Sequence, residues 1–239
     1  MTTNKLILWV TLVVIAFGAE AKAQRTFVSA SAQYTQRAYT DASVQTWAAW
    51  TRLSTTNVLQ PIICTMRGWD TSQHYRLIMY NLGVFYATER AGGSPASSIS
   101  NLVPAINTWI HLAARFNGTA NRTLFVNGVA CATETTAVIP TDIDEVYLGR
   151  VGTLTTEYFG SSTIAEPAIW HVALTDSEVA QLASGGAFAR RASPSKIRPD
   201  KLVWLPDLTI PGAAVPGVGG VTGISNSPAL LTVLPPAFR

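Results

Sequence analysis

Residues 107–133 read NTWIHLAARFNGTANRTLFVNGVACAT, and this stretch decides the fold. From Trp109 to Phe116 the side chains alternate in character at a period of two, which is the period of a β-strand. A polar loop containing a glycine follows, and then a short apolar run. The pair Asn127-Gly128 predicts a two-residue hairpin turn, because both residues readily adopt positive φ. The stretch therefore predicts three antiparallel strands joined by two turns.

The rest of the chain supplies further short strands separated by turn signals. The clearest is Val44–Leu53, in which Trp47 and Trp50 fall on opposite faces, as expected of a strand inside a two-layer sandwich. We predict other strands at residues 26–36, 60–66, 74–80, 82–88, 142–149, 159–170 and 201–205. Residues 91–100 are rich in Gly, Ser and Pro and are predicted to be a connection outside the core. The pattern predicts an all-β antiparallel sandwich of the jelly-roll type.

One short helix is predicted near the C-terminal end of the core domain. Thr175 and Glu178 have the spacing of a capping box, and Val179 and Leu182 form a short apolar stripe. The glycines at 185–186 are predicted to end the helix.

These motifs resemble the laminin-G-like branch of the concanavalin A-like lectin and glucanase superfamily. The resemblance is carried by W-x-H-[LV]-A and V-[ND]-G within 107–133, by Trp50 and Arg52, and by the closing strand of residues 159–174. It implies a β-sandwich and a broad choice of activity, since lectins, adhesion modules and hydrolases share this architecture. Pro167 departs from the closing motif and cannot donate a ladder hydrogen bond, which predicts a bulge or an edge there.

The chain divides into three parts by composition. Residues 1–23 have the pattern of a secretory signal peptide, with Lys5, an apolar run at 6–17 and Ala21-Lys22-Ala23. We therefore expect a secreted protein, extracellular or periplasmic. The apolar run is shorter than the roughly 20 residues that cross a bilayer, and we expect no membrane span in the mature chain. Residues 24–189 are predicted to form the sandwich, and 190–239 a basic connector, a last strand and a Pro/Gly-rich tail packing on it.

Charge argues against a nucleic-acid partner. The chain carries 17 Lys and Arg against 14 Asp and Glu, so it lacks the strong basic excess of a nucleic-acid binder. The basic residues between 190 and 201 are interpreted as a solvated connector.

The sequence does not decide whether the two cysteines, Cys64 and Cys131, form a disulfide. An oxidising compartment favours a bridge, whereas their apolar surroundings equally suit two small buried hydrophobic residues.

Glycan recognition needs an aromatic ring for sugar C–H groups and polar side chains that orient hydroxyls. The predicted ligand-binding residues are Trp69, Asp70, Tyr86, Glu89 and Arg90, from a long polar loop and a neighbouring segment.

A catalytic site is not expected. Glucanases of the superfamily carry three acidic residues at alternating positions of one strand, since a retaining mechanism needs two carboxyl groups only ~5 Å apart. Asp142 and Asp144 fit the first two positions, but Val146 takes the third.

Calcium is the cofactor that the resemblance implies, at the rim of the sandwich. Asp142, Asp144 and Asp70 are the available carboxylates, and Ca²⁺ needs about 6–8 oxygen ligands.

The sequence thus favours a secreted, non-catalytic, lectin-like module whose partner is a carbohydrate or a glycosylated surface. One alternative is a structural or adhesion protein of an extracellular or virion assembly, with the tail docking on a neighbour in a homo-oligomer. A divergent glycoside hydrolase is the weaker alternative.

Overall fold

The computed structural model describes residues 24–67, 74–93, 95–102, 104–152, 157–184, 193–204, 206, 208 and 215–216. The strands are β1 Gln24–Thr26, β2 Gln33–Ala38, β3 Val44–Leu53, β4 Gln60–Met66, β5 His74–Asn81, β6 Val84–Ala91, β7 Ala96–Ile99, β8 Trp109–Asn117, β9 Arg122–Val126, β10 Val129–Glu134, β11 Glu145–Leu148, β12 Arg150–Gly152, β13 Glu157–Phe159, β14 Ser162–Trp170, β15 Leu202–Trp204 and β16 Val215–Pro216. Helix α1 spans Asp176–Ala183, and single 3₁₀ turns lie at Ser29–Ser31 and Pro194–Lys196. Within these ranges no helix has the length and apolarity needed to cross a membrane.

Two antiparallel sheets form the sandwich. Sheet 1 has the order β1-β14-β3-β8-β9-β10, and β15 also pairs with β14. Sheet 2 has the order β16-β2-β11-β4-β5-β6-β7, and β12 and β13 form a separate hairpin. The predicted all-β antiparallel sandwich with a short helix is confirmed.

The core lies between the two sheets because alternate residues of each strand are apolar on one face. Trp47 and Phe116 of sheet 1 contact there at ring centroids 5.0 Å apart, and Ile78 and Phe85 of sheet 2 are buried in the same cluster. The second tryptophan of β3, Trp50, lies on the outer face of sheet 1, as the alternation predicts.

Helix α1 covers part of that outer face. Its capping box is formed as predicted, with Thr175 and Glu178 each accepting from the other's backbone N–H. Val179 and Leu182 are buried against Phe125 and Trp170 of sheet 1. The predicted helix end at 185–186 lies outside the described residues.

The β8-β9-β10 meander is also confirmed. Asn127 and Gly128 both have positive φ, 51° and 82°, as the predicted hairpin turn requires. The Asn127 side-chain oxygen accepts a hydrogen bond from the His111 backbone N–H at 3.0 Å, which ties the turn to β8.

Gly128 has a second constraint, because its turn lies against α1. A Cβ at this position would lie 2.9 Å from the Ala180 Cα and from the Ala183 Cβ. We expect Gly128→Ala to lower the free energy of unfolding by about 1–2 kcal/mol from the positive φ alone, and by a further ~1–3 kcal/mol from overpacking. Urea unfolding measures the sum.

Gly118→Ala is the matched control for this prediction. Gly118 has nearly the same φ, 81°, but nothing within 4 Å of an added Cβ. Equal losses for the two variants would contradict the contact between the turn and the helix.

Pro167 sits at a bulge, one of the two outcomes predicted for it. The β14–β3 register shifts between Ala165 and Ala168, and Glu166 adopts a φ of 50°. Because β14 has strand partners on both sides, the bulge accommodates the missing N–H inside the sheet.

Two secondary-structure predictions were wrong. Residues 26–36 are not one strand, because β1 pairs with β14 in sheet 1 and β2 pairs with β11 in sheet 2, with a 3₁₀ turn between them. Residues 91–100 are not only a connection, because β7 pairs with β6. Ser98 of β7 is buried and tolerated there, since its hydroxyl donates to the Ala132 carbonyl at 2.6 Å and accepts from the Leu124 N–H at 3.1 Å.

Cys64 and Cys131 are free thiols, so the bridge that the sequence left open is absent. Cys64 is buried on the outer face of sheet 2, whereas Cys131 packs against the core between the sheets. The two side chains therefore lie on opposite sides of sheet 2. Burial raises the pKa of the Cys64 thiol, which keeps it protonated and unreactive.

Candidate functional site

Glu89, one of the predicted ligand-binding residues, lies in a buried ion cluster. Its two carboxylate oxygens accept from Arg76 Nε at 2.7 Å and from Arg122 Nε at 2.8 Å. The side chains of Glu89 and Arg122 are fully buried. The prediction that Glu89 contacts a ligand is therefore wrong, because its side chain points into the core and both oxygens are occupied.

The cluster continues through Asp41, which pairs with Arg76. Burial alone would lower the pKa of Arg76, but Asp41 and Glu89 outweigh it and raise that pKa, so the guanidinium stays charged. Gln45 Nε2 donates to Asp41 at 3.0 Å, and Gln45 Oε1 accepts from the Trp47 indole at 2.7 Å. These contacts join the strands of both sheets, and the role they support is structural.

The outer face of sheet 2 divides into a covered half and a more open half. The β12–β13 hairpin lies over the covered half, where Val151 and Phe159 pack with Tyr34 and Tyr147. The Arg150 guanidinium stacks over the Tyr34 ring at 4.4 Å and the Tyr147 ring at 5.0 Å, which closes this half.

The more open half, the β5–β7 face, is formed by the outward side chains of β5, β6 and β7. They alternate with Ile78, Phe85 and Ala87, which point into the core. Leu77 and Thr88 are buried in the face. The side chains of Tyr75, Met79, Tyr86, Arg90 and Ser97 around them are half-buried.

Hydrogen bonds order the polar groups of this face. Tyr75 and Arg90 are cross-strand partners, and the Arg90 Nε donates to the Gly93 carbonyl at 2.8 Å. Thr88 and Ser97 share a hydroxyl–hydroxyl bond of 2.8 Å. Burial raises the pKa of Tyr75, so its hydroxyl keeps its proton at neutral pH. The face offers two aromatic rings, hydroxyls and one guanidinium.

The structure brings together two of the five predicted ligand residues, Tyr86 and Arg90. Trp69 and Asp70 lie outside the described residues, so their role stays a prediction. The described residues on either side of that segment are Arg67 and His74; the Arg67 N–H donates to the His74 carbonyl at 3.2 Å, and His74 directly precedes Tyr75 on β5.

Sequence reasoning missed Tyr75, Thr88 and Ser97 on this face. The signal for Tyr75 and Thr88 was available, because the turn at Leu82 and Gly83 fixes the register of β5 on β6. Counting alternate side chains along β5 and β6 from that turn would have placed both residues on the same face of the sheet as Arg90. Ser97 could not be found, because its segment did not resemble a strand.

The predicted metal residues are not gathered into a site. Asp142 and Asp144 are exposed and precede β11, and Asp142 pairs with Arg67 at 3.5 Å. Across the described ranges, no three or more His, Cys, Asp or Glu side chains are grouped so as to hold a metal ion. Asp70 lies outside those ranges, and calcium stays a prediction. Val146, which breaks the acidic triplet, is buried in the core.

Comparison with known proteins identifies the sandwich. A laminin-G-type family model, described as concanavalin A-like lectin/glucanases superfamily, matches residues 27–180. A native heptameric SAP-like pentraxin from Limulus polyphemus has a TM-score of 0.58 at 14% identity, over 78% of this chain and 92% of the pentraxin. The CBM40 of a Ruminococcus gnavus IT-sialidase, bound to α2,3 sialyllactose, has a TM-score of 0.53 at 17% identity. The match covers 67% of this chain and 98% of the CBM40 chain.

A NanB sialidase mutant from Streptococcus pneumoniae has a TM-score of 0.53 at 18% identity, over 66% of this chain and 28% of the sialidase. At such identities these neighbours share the fold. No curated protein matches the chain.

Proposed function

Because the chain belongs to the concanavalin A-like lectin/glucanases superfamily, we propose that it is a non-catalytic carbohydrate-binding module whose ligand lies on the β5–β7 face. The observation that carries the proposal is the half-buried pair of tyrosines, Tyr75 and Tyr86, beside Arg90 and the Thr88–Ser97 hydroxyls. Partly accessible rings take sugar C–H groups, while the hydroxyls and the guanidinium orient sugar oxygens. The predicted signal peptide supports a place outside the cytoplasm.

The length of the face favours an oligosaccharide. Tyr75 lies opposite Arg90, and Tyr86 lies opposite Met79. The positions of the two tyrosines are therefore four residues apart along β5. Four residues of a strand correspond to about 13 Å, which suits a chain of sugars better than a single ring.

Arg90 favours an acidic sugar at one end of that chain. A guanidinium has about five N–H donors, of which the contact with the Gly93 carbonyl uses one. Guanidinium groups bind carboxylates in a paired geometry. The sialyllactose held by the structurally similar CBM40 is an acidic glycan, and we propose the same chemical class here.

A non-catalytic role is supported by the position of the acidic residues. Asp142 and Asp144 lie outside β11, and the third position of the triplet is the buried Val146. Glu89, the carboxylate nearest the β5–β7 face in sequence, is paired in the core.

We expect Tyr86→Ala to weaken glycan binding by about tenfold or more, because it removes an apolar ring from the contact. Tyr86→Phe keeps the ring and should keep most of the affinity. Arg90→Gln should lower binding of acidic glycans and leave neutral ones nearly unchanged. The measurement is a glycan array of the full chain, in calcium and in chelator, followed by titration calorimetry with the best glycan.

Tyr158→Ala is the matched control, because Tyr158 is 48% exposed and lies outside the β5–β7 face. Trp69→Ala tests the loop between β4 and β5. If the folded chain binds no glycan in either buffer, or if Tyr86→Ala binds as well as the wild type, the proposal is wrong.

A further inference from the structure

Several loops come together at one end of the sandwich, where β3 ends and β8 begins. The Asn107 N–H donates to the Leu53 carbonyl at 2.8 Å, and the Tyr80 hydroxyl donates to the Thr56 carbonyl at 3.2 Å. Ser161 joins two more of these loops, because it accepts from the N–H groups of Ser29 and Ser54. We call the surface formed by residues 27–32, 54–59, 82–83 and 100–108, apart from residue 103, which lies outside the described ranges, the neutral end.

The neutral end is set apart by its lack of charge. None of its four segments contains Asp, Glu, Lys or Arg. The loops at the opposite end of the sandwich carry Asp41, Arg67, Asp142, Asp144 and His171. The β12–β13 hairpin starts beside the neutral end, and its Arg150 and Glu157 pair with each other at 3.3 Å.

Each of the four segments has an exposed aliphatic side chain. Val28 is 43%, Val58 is 47%, Leu82 is 86% and Ile106 is 49% exposed. Single exposed apolar residues are common, but a group on one uncharged surface is typical of an interaction site.

Leu82 is the least expected of these residues. It has a φ of 48° in the two-residue turn between β5 and β6, where Asn, Asp or Gly is preferred. In the isolated chain, a leucine at this position has an unfavourable backbone conformation, and its apolar side chain is exposed to water. Contact with another molecule would offset the exposure.

We propose that the neutral end binds a second copy of this chain, end to end across a two-fold axis. In an isologous interface both partners contribute the same surface, so any net charge on that surface would face the same charge on the partner and repel it. An uncharged aliphatic surface meets itself without that repulsion. A lipid surface would instead require basic residues and an aromatic belt, and the neutral end contains no Lys, Arg, Trp or Tyr. The proposal does not rest on glycan binding.

Sedimentation velocity of the full chain from about 1 μM to about 100 μM tests the proposal. The wild type is expected to shift from a monomer toward a dimer over this range. Leu82→Asp should weaken association by about 100-fold, because one leucine is lost from each side and two carboxylates are brought together. Ile106→Asp should act in the same direction.

Ile139→Asp is the matched control, since Ile139 is 57% exposed and lies outside the neutral end. It should associate as the wild type does. Leu82→Asp is expected to fold, because Asp tolerates positive φ better than Leu, and thermal unfolding verifies this. A wild type that stays monomeric at the highest concentration, or a dimer that survives both Leu82→Asp and Ile106→Asp, would overturn the proposal.

Discussion

Glu89→Gln is expected to lower the free energy of unfolding by about 3–5 kcal/mol. The carboxylate of Glu89 is the partner of two buried guanidinium groups, at 2.7 Å from Arg76 Nε and 2.8 Å from Arg122 Nε. Arg76 keeps Asp41, but among the described residues Arg122 loses the one carboxylate that lies within ion-pair distance of it. A buried charge without its partner is far more costly than a lost surface ion pair. Chemical denaturation at neutral pH measures the loss.

Two further variants make this prediction specific. Asp142→Asn removes the exposed pair with Arg67 and should change the free energy of unfolding by less than about 1 kcal/mol. The double change Glu89→Met with Arg122→Met removes both charges and should recover much of the loss, because Arg76 and Asp41 still pair. If Glu89→Gln and Asp142→Asn cost the same, the cluster is not buried as described.

Trp170→Ala is expected to lower the free energy of unfolding by about 3–5 kcal/mol, the range for a large aromatic side chain lost from a core. Trp170 is fully buried between sheet 1 and helix α1, with Val179 and Leu182 in the same cluster. Its indole N–H donates to the Ile197 carbonyl at 2.7 Å, which attaches residues 193–204 to the sheet. Hydrogen exchange should therefore show faster exchange in α1 and in residues 193–204, besides the fall in stability.

Trp170→Phe separates packing from the hydrogen bond. It keeps most of the apolar volume but leaves the Ile197 carbonyl without its donor, and should cost less than Trp170→Ala. Val203→Ala is the surface control, since Val203 is 46% exposed on β15. A cost for Trp170→Ala that is no larger than that of Val203→Ala would contradict the packing of α1 and residues 193–204 on sheet 1.

The sequence predicted correctly those elements that depend on interactions between residues close together in the chain. The bounds of β3 and β4, the Asn127-Gly128 turn, the capping box of α1 and the bulge at Pro167 all follow from residues within a few positions of one another. The predictions failed where a distant strand supplied the partner. β7 is a strand because β6 pairs with it, and its buried Ser98 is satisfied by Leu124 and Ala132 of sheet 1.

The candidate site shows the same division. Tyr86 and Arg90 were predicted as ligand residues and lie on one face, because they occupy alternate positions of a single strand. Glu89 was predicted as a ligand residue together with Tyr86 and Arg90 of the same segment, yet neighbouring residues of a strand point to opposite faces. The alternation of side chains along β6 could have excluded Glu89 from that face. It could not have shown that Arg76 and Arg122 are the partners of Glu89.

By itself, the sequence determined that this chain forms an antiparallel sandwich with a capped helix, since strand alternation, turn chemistry and capping act over a few residues. Only the tertiary structure decided which faces remain available. It buried Glu89 between two arginines, left both cysteines free on opposite sides of sheet 2, and gathered uncharged loops at one end. Each of these depends on residues far apart in the chain, and their proximity is set by how the two sheets stack.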